Sequence, residues 1–195
     1  MPESTLIPMF PLAILPLPGE LIPLHIFEPC YRQLIQEAEQ ADIGFGIFCT
    51  HQANAGKLGS WMKLESIVKR YPGGEMDIVV KCSDIFTLQS LYRNYKNRSY
   101  PGGMVLFWNT QTDELPGAKL GELFYEYLNR RNITRHQAFF GVYGIARLLN
   151  LDVAERHRFL LLNRDERARF LIRHLRYQLS LLEAELNSKD VYQWN

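Results

Sequence analysis

The chain has 195 residues, 47% of them hydrophobic, and a formal net charge of +1, enough apolar material for one domain, or for one domain with a small second lobe. Three cysteines, Cys30, Cys49 and Cys82, are too sparse and of the wrong parity for a disulfide framework and fit a reducing compartment. No uninterrupted apolar run of about 18 residues occurs and no basic stretch opens the chain, so the sequence predicts neither a membrane span nor a signal peptide, and a cytoplasmic location.

Phe10 to Arg32 carries five prolines, Pro11, Pro16, Pro18, Pro23 and Pro29, among long apolar residues. A buried helix does not tolerate that density, because each ring removes a donor and clashes with the preceding turn. The segment therefore reads as extended, with strands at Leu6–Phe10 and Leu21–Ile26 around a turn at Pro18-Gly19-Glu20. Pro29 at a first helical position starts a helix over Pro29–Ala41, in which Tyr31, Leu34, Ile35 and Ala38 make one apolar stripe. Ile43–Thr50 is a short apolar strand whose Gly44 and Gly46 suggest close backbone approach or a bulge. Gly59–Tyr71 and Glu75–Lys81 flank Pro72-Gly73-Gly74 as a hairpin, and Asp84–Tyr92 and Gly103–Asn109 follow as strands. After Thr110–Gly117 the pattern is helical: Lys119–Arg131, Gln137–Asn150, Val153–Leu162 capped by Asp152, and about Asp165 to Asn187. Gly141 and Gly144, three apart, suggest close approach of a neighbouring helix. In the last helix Ala168, Leu171, Leu175, Leu179, Leu182 and Leu186 form an amphipathic stripe for packing on the other helices, with a dimer seam as the alternative. The expected architecture is α+β, with a β-rich lobe at 1–112 and a helical lobe at 113–195.

The run LPLPGELIPLHIFEPCYR, with Pro11-Leu12 before it, resembles the opening of the LON amino-terminal domain, the substrate-recognition domain of the ATP-dependent protease Lon. Pro18-Gly19, Pro23-Leu24, His25-Ile26-Phe27-Glu28-Pro29 and Tyr31-Arg32 carry the resemblance, which is closest to stand-alone LON-domain proteins. It implies an amino-terminal mixed β pseudo-barrel of PUA-like type with one early helix, then an α-helical lobe. It also implies a protein-binding, substrate-recognition role in protein quality control. Two places depart from the family pattern: Gly59-Ser60 replaces a G-T or G-C pair, and Cys82-Ser83-Asp84-Ile85-Phe86 stands where G-x-x-R-[FV] is usual. A ligand contact through that arginine is therefore not expected.

The chemistry of the chain points the same way. Neither the G-x-x-x-x-G-K-[ST] phosphate loop nor the G-x-S-x-G nucleophile elbow occurs, so neither the ATPase nor the protease of full-length Lon is expected, and no catalytic residue or cofactor is assigned. His25 and Glu28, beside Tyr31 and Arg32, invite an acid–base reading, but the local pattern favours a structural one in which Arg32 pairs with Glu28 at i+4. Cys49 and His51 lack the further ligands that a metal centre needs. Tyr71, Tyr92, Tyr95 and Tyr100 fall near strand ends and turns, where rings with polar tips suit a groove for extended apolar peptide or ordinary packing.

Charge is unevenly placed: 10 Lys and Arg stand against 14 Asp and Glu in residues 1–129, and 12 against 7 in 130–195. The Arg-rich helical part offers a second reading, nucleic-acid binding. A third, a small-molecule enzyme or sensor, would need His25 and Glu28 to face a cavity. The leading expectation is a non-enzymatic module for unfolded or apolar polypeptide segments, or for a partner protein.

Overall fold

The structure, a computed structural model, describes residues 3–133 and 140–192, those beyond 185 by backbone alone. Among the described residues six strands and five helices follow one another: β1 (Thr5–Leu12), β2 (Leu21–Ile26), α1 (Pro29–Ala41), β3 (Phe45–Cys49), β4 (Leu58–Arg70), β5 (Met76–Tyr92), β6 (Gly102–Phe107), α2 (Ala118–Arg130), α3 (Val142–Leu148), α4 (Val153–Leu161) and α5 (Arg164–Tyr192). The α+β class with carboxy-terminal helices is as the sequence implies. Two compact units divide the chain, one of residues 1–111 with 152–157, the other of 112–151 with 158–195.

The first unit is a closed sheet. The strand order is β2-β5-β4-β3-β1-β6, and the end of β5 pairs back onto β6. The ring β1-β3-β4-β5-β6 thus closes and leaves β2 appended to the first half of β5. The β1–β3 pair is parallel and the rest are antiparallel. One 17-residue strand makes this closure possible where the sequence pattern suggested two, Glu75–Lys81 and Asp84–Tyr92. Trp61 pairs with Asp84 and Met62 with Cys82, so Ser83 is the extra residue of a bulge. The bulge bends the strand without ending it.

Ile7, Met9, Phe86, Leu88 and Val105 fill the barrel, with Phe48, Trp61 and Phe107 packed against them. Glycines let the rings in. A Cβ on Gly44 would lie 2.4 Å from the Trp61 ring, and one on Gly59 2.2 Å from the Phe86 ring. The two family departures are structural here. Buried Ser60 donates to the Pro16 carbonyl at 2.7 Å, and the Cys82 Sγ lies 3.5 Å from the same oxygen. Asp84 accepts from the Asn109 and Thr110 N–H groups at 3.0 and 2.8 Å. These contacts hold the proline loop and the exit from β6.

Residues 152–157 complete this unit. Asp152 and Glu155 exchange side-chain-to-backbone bonds at 2.8 and 2.9 Å, the cap expected at Asp152 in reciprocal form. Arg156 forks onto Glu20 at 2.6 and 3.0 Å, and His157 Nε2 accepts the Gly56 N–H at 3.1 Å.

In the second unit α5 packs on α2 and α3. Leu171, Leu175 and Leu179 of its stripe are buried there; the Leu186 side chain lies outside the described residues. Asn163 and Glu166 form a second reciprocal cap, at 3.0 and 3.1 Å, which moves the helix start to Arg164. The helix expected over Gln137–Asn150 is described only as Val142–Leu148, its positions 137–139 lying outside the described residues. Gly141 is the extended residue before α3, and the nearest atoms to a Cβ on Gly144 belong to Phe140 and Arg147. Among the described residues, the atoms nearest either glycine belong to no neighbouring helix; Gly141 lets the chain pass the Thr112 and Glu114 carbonyls.

Candidate functional site

The alternation of β2 puts Leu21, Pro23 and His25 on one exposed face and buries Ile26. Across the ladder these residues pair with Lys81, Val79 and Asp77 of β5, which in turn pair with Lys63, Ser66 and Lys69 of β4. An apolar edge of Leu21, Pro23 and Val79 is therefore flanked by lysines. Lys63 and Lys81 stand directly opposite each other on neighbouring strands, both exposed, an arrangement that self-repulsion disfavours unless an anion lies between them.

An aromatic corner closes one end of this face. The Asp77 carboxylate lies 2.6 Å from His25 Nδ1 through one oxygen and accepts the Tyr71 hydroxyl at 2.7 Å through the other. The His25 and Tyr71 bonds hold the Asp77 pKa below the ordinary carboxylate value. The His25 ring meets the Tyr71 ring edge-on at 5.8 Å and stacks on Phe27 at 6.2 Å, while the Lys69 ammonium sits 4.4 Å from the Tyr71 centroid. Phe27 itself is 60% exposed and Leu21 54%. Sequence reading missed these two, since apolar residues in a strand and before a helix look like core; the signal available was that they fall outside the buried phase of their neighbours.

His25 is thus paired with Asp77 and not with Glu28. Arg32 reaches the Gly73 carbonyl at 2.5 Å in place of the expected Glu28. It thereby ties α1 to the turn between β4 and β5, where Gly74 adopts φ +90°. His25 and Glu28 both lie on the surface, so the geometry that an enzyme or sensor reading needs is not formed by this pair.

The four tyrosines separate. Tyr71 belongs to the corner just described, before β5 begins. Tyr92 ends β5 and is exposed. Tyr95 and Tyr100 stack at 5.9 Å across the loop that follows. Tyr100 is 0% exposed and donates its hydroxyl to Glu37 of α1 at 2.8 Å. Burial and the adjacent Glu37 carboxylate push the Tyr100 pKa well above the ordinary phenol value. Arg98 adds a 2.9 Å bond to Glu37. Beside this loop Tyr95, Lys96, Asn97 and Arg98 form, with Glu37 and Ile43, a mixed polar and apolar hollow of about 570 Å³.

Among the described residues no group of His, Cys, Asp and Glu is arranged to hold a metal ion, and no helix is long and apolar enough to cross a membrane. Burial pushes the Cys82 thiol up to about 12 and also raises Cys49, which makes both poor nucleophiles. His51 Nδ1 accepts the Ala53 N–H at 3.2 Å within its own loop.

Comparison with known proteins agrees with this architecture. A Lon N-terminal domain protein from Xanthomonas campestris superposes with a TM-score of 0.64 at 22% identity, over 90% of this chain and 98% of that one. The N-terminal domain of a Mycobacterium avium complex Lon protease gives 0.57 at 17% identity, over 88% and 98%. No curated protein matches the chain in sequence. The family model for the substrate-binding domain of the ATP-dependent protease La (LON) matches residues 6–185, and with that span covered the chain belongs to the LON substrate-binding domain family.

Proposed function

We propose that the chain is a non-enzymatic polypeptide-recognition module whose contact surface is the open face of β2, β5 and β4. The observation that carries this reading is the pair of large apolar side chains left more than half exposed, Leu21 at the start of β2 and Phe27 just past its end, stacked on His25. The His25–Asp77–Tyr71 bonds hold the corner under Phe27 in place before any partner arrives, which lowers the ordering cost of binding. The facing Lys63 and Lys81 favour apolar segments that also carry Asp or Glu. Membership in a family of substrate-binding domains supports the polypeptide as ligand class; Tyr71 contributes to this surface, and Tyr92 and Tyr95 offer a second, smaller one.

The test is a peptide array of apolar segments with acidic or basic neighbours, probed with purified protein. Saturable binding is expected, strongest for acidic–apolar peptides and reduced at least ten-fold in Phe27→Ser and Leu21→Ser. Lys81→Glu should invert the charge preference. No saturable binding to any member would overturn the reading.

A further inference from the structure

A second place in the molecule looks built for an occupant, and it lies wholly within the helical unit. Residues 115–118, α2 and Phe140 enclose an open pocket of about 380 Å³, at the small end of the roughly 300–1,000 Å³ typical of ligand pockets. Its walls are apolar: Leu115, Phe124, Tyr125 and Phe140, with Phe124 and Phe140 edge-to-face at 5.2 Å. They are also anchored. The Val142 N–H donates to the Glu114 carbonyl at 2.8 Å, and the Glu114 carboxylate is held by Arg167 at 3.0 Å with both side chains largely buried. Arg167 in turn lies over the Tyr143 and Phe159 rings at 5.5 and 5.9 Å. The stretch carrying Leu115 is therefore fixed from behind.

Gly121 lines this pocket from within α2. A glycine inside a helix costs about 1 kcal/mol relative to alanine, and two structural reasons ordinarily justify it. Neither applies. Gly121 is not among the residues of positive φ, and a Cβ built on it meets nothing within 4 Å. What a side chain there would occupy is the pocket itself. Among the described residues Glu122 is the charged residue that lines the rim, exposed to solvent, and Leu115 and Tyr125 are exposed beside it.

We propose that this pocket takes one bulky apolar side chain of a polypeptide segment, with a Lys or Arg next to that side chain meeting Glu122. The proposal rests on the reading of the chain as a polypeptide-recognition module and adds a site of opposite charge preference to the β-sheet face. The room at Gly121 sets the size of the accepted side chain, and the carboxylate of Glu122 sets the neighbour.

The probes are two fluorescein-labelled octapeptides, both with a central Phe, one with Lys and one with Glu on either side of it. Binding is followed by anisotropy with wild type, Gly121→Leu, Glu122→Lys and Phe27→Ser. The Lys-flanked peptide should bind wild type and Phe27→Ser alike and lose at least ten-fold in Gly121→Leu. That variant should melt no lower than wild type, since it gains helix propensity. Glu122→Lys should shift preference to the Glu-flanked peptide. Undiminished binding of the Lys-flanked peptide by Gly121→Leu, or an unchanged charge preference in Glu122→Lys, overturns the pocket. Equal affinity for N-acetyl-phenylalanine amide alone overturns the polypeptide as its occupant. If the Lys-flanked peptide is lost in Phe27→Ser and kept in Gly121→Leu, the pocket falls and the β-sheet reading stands. If neither peptide binds wild type, the pocket falls, while the array decides the β-sheet reading separately.

Discussion

Glu37 shows how a single residue can organise a loop that the sequence leaves ambiguous. Its carboxylate accepts from Tyr100, Arg98 and Gln33. Burial alone would raise its pKa, but the bonds from Tyr100, Gln33 and Arg98 together outweigh that and hold it below the ordinary carboxylate value. A carboxylate with a lowered folded-state pKa contributes stability that is complete above its unfolded pKa and is lost as pH falls through the folded one. Wild type should therefore exceed Glu37→Gln in melting temperature at neutral pH, and the gap should close as pH drops through and below the usual carboxylate range. A gap independent of pH would show that packing, not charge, is what Glu37 supplies. Tyr100→Phe should cost about 1–2 kcal/mol, as expected when a charged acceptor loses one donor. It should leave peptide binding by the β-sheet face unchanged, because the Tyr100 ring is buried.

At the scale of elements, β2 carries the design problem of an open barrel edge. The Cys82 N–H donates to the Glu20 carbonyl at 2.9 Å, which sets the phase of the ladder: residues 22, 24 and 26 bond to β5, and 21, 23 and 25 turn their backbone groups to the free edge. Pro23 has no N–H to offer there. An edge strand interrupted by proline resists pairing with a further strand, so a polypeptide meets this unit through side chains on the face in preference to strand addition. Pro23→Val should restore the edge donor, and light scattering should show more concentration-dependent association than wild type. Unchanged scattering would mean that the edge is blunted by something else.

The proline itself was legible in the sequence as a mark of extended chain, and so was α1, whose start is fixed by Pro29. The single β5 was not legible, because Cys82-Ser83-Asp84 breaks the alternation that identifies a strand. Only the partner strand reveals that the break is a bulge. The same limit applies to the site. Tyrosine type and position marked Tyr71, Tyr92, Tyr95 and Tyr100 together, yet Tyr71 and Tyr92 flank opposite ends of β5, and Tyr100 turns inward because Glu37 on α1 waits for its hydroxyl. Burial of a ring is decided by a partner 63 residues away, which local pattern does not report. Arg167 shows the reverse: it sits among the exposed arginines in sequence but is largely shielded against Glu114, leaving Arg169, Arg173 and Arg176 at helical spacing on the surface of α5.

For the molecule as a whole, the first compact unit is not continuous in sequence. Six strands and α1 lie within residues 1–111, but Glu20 and the Gly56 N–H find their partners in Arg156 and His157. The Arg156–Glu20 pair is bidentate, with both side chains more than four-fifths shielded from solvent. Removing one partner strands a shielded charge, a loss of about 3–5 kcal/mol for fully buried pairs and about 2 kcal/mol after allowance for the solvent that still reaches this one. Arg156→Ala should therefore destabilise the full chain by that order. A fragment ending at residue 112 should suffer the same loss, together with that of the His157 bond. Glu20→Gln with Arg156→Met replaces the pair by groups that need no counter-charge, and it should recover most of the loss in the full chain. Chemical denaturation of the four proteins, with the change in midpoint read at a constant slope, checks this. If the fragment unfolds at the same midpoint as the full chain, the strands and α1 hold the barrel without help. If it falls together with Arg156→Ala while the double variant recovers, the segment 152–157 belongs to the β unit energetically as well as in space, and a recognition surface on that unit depends on the chain that follows it.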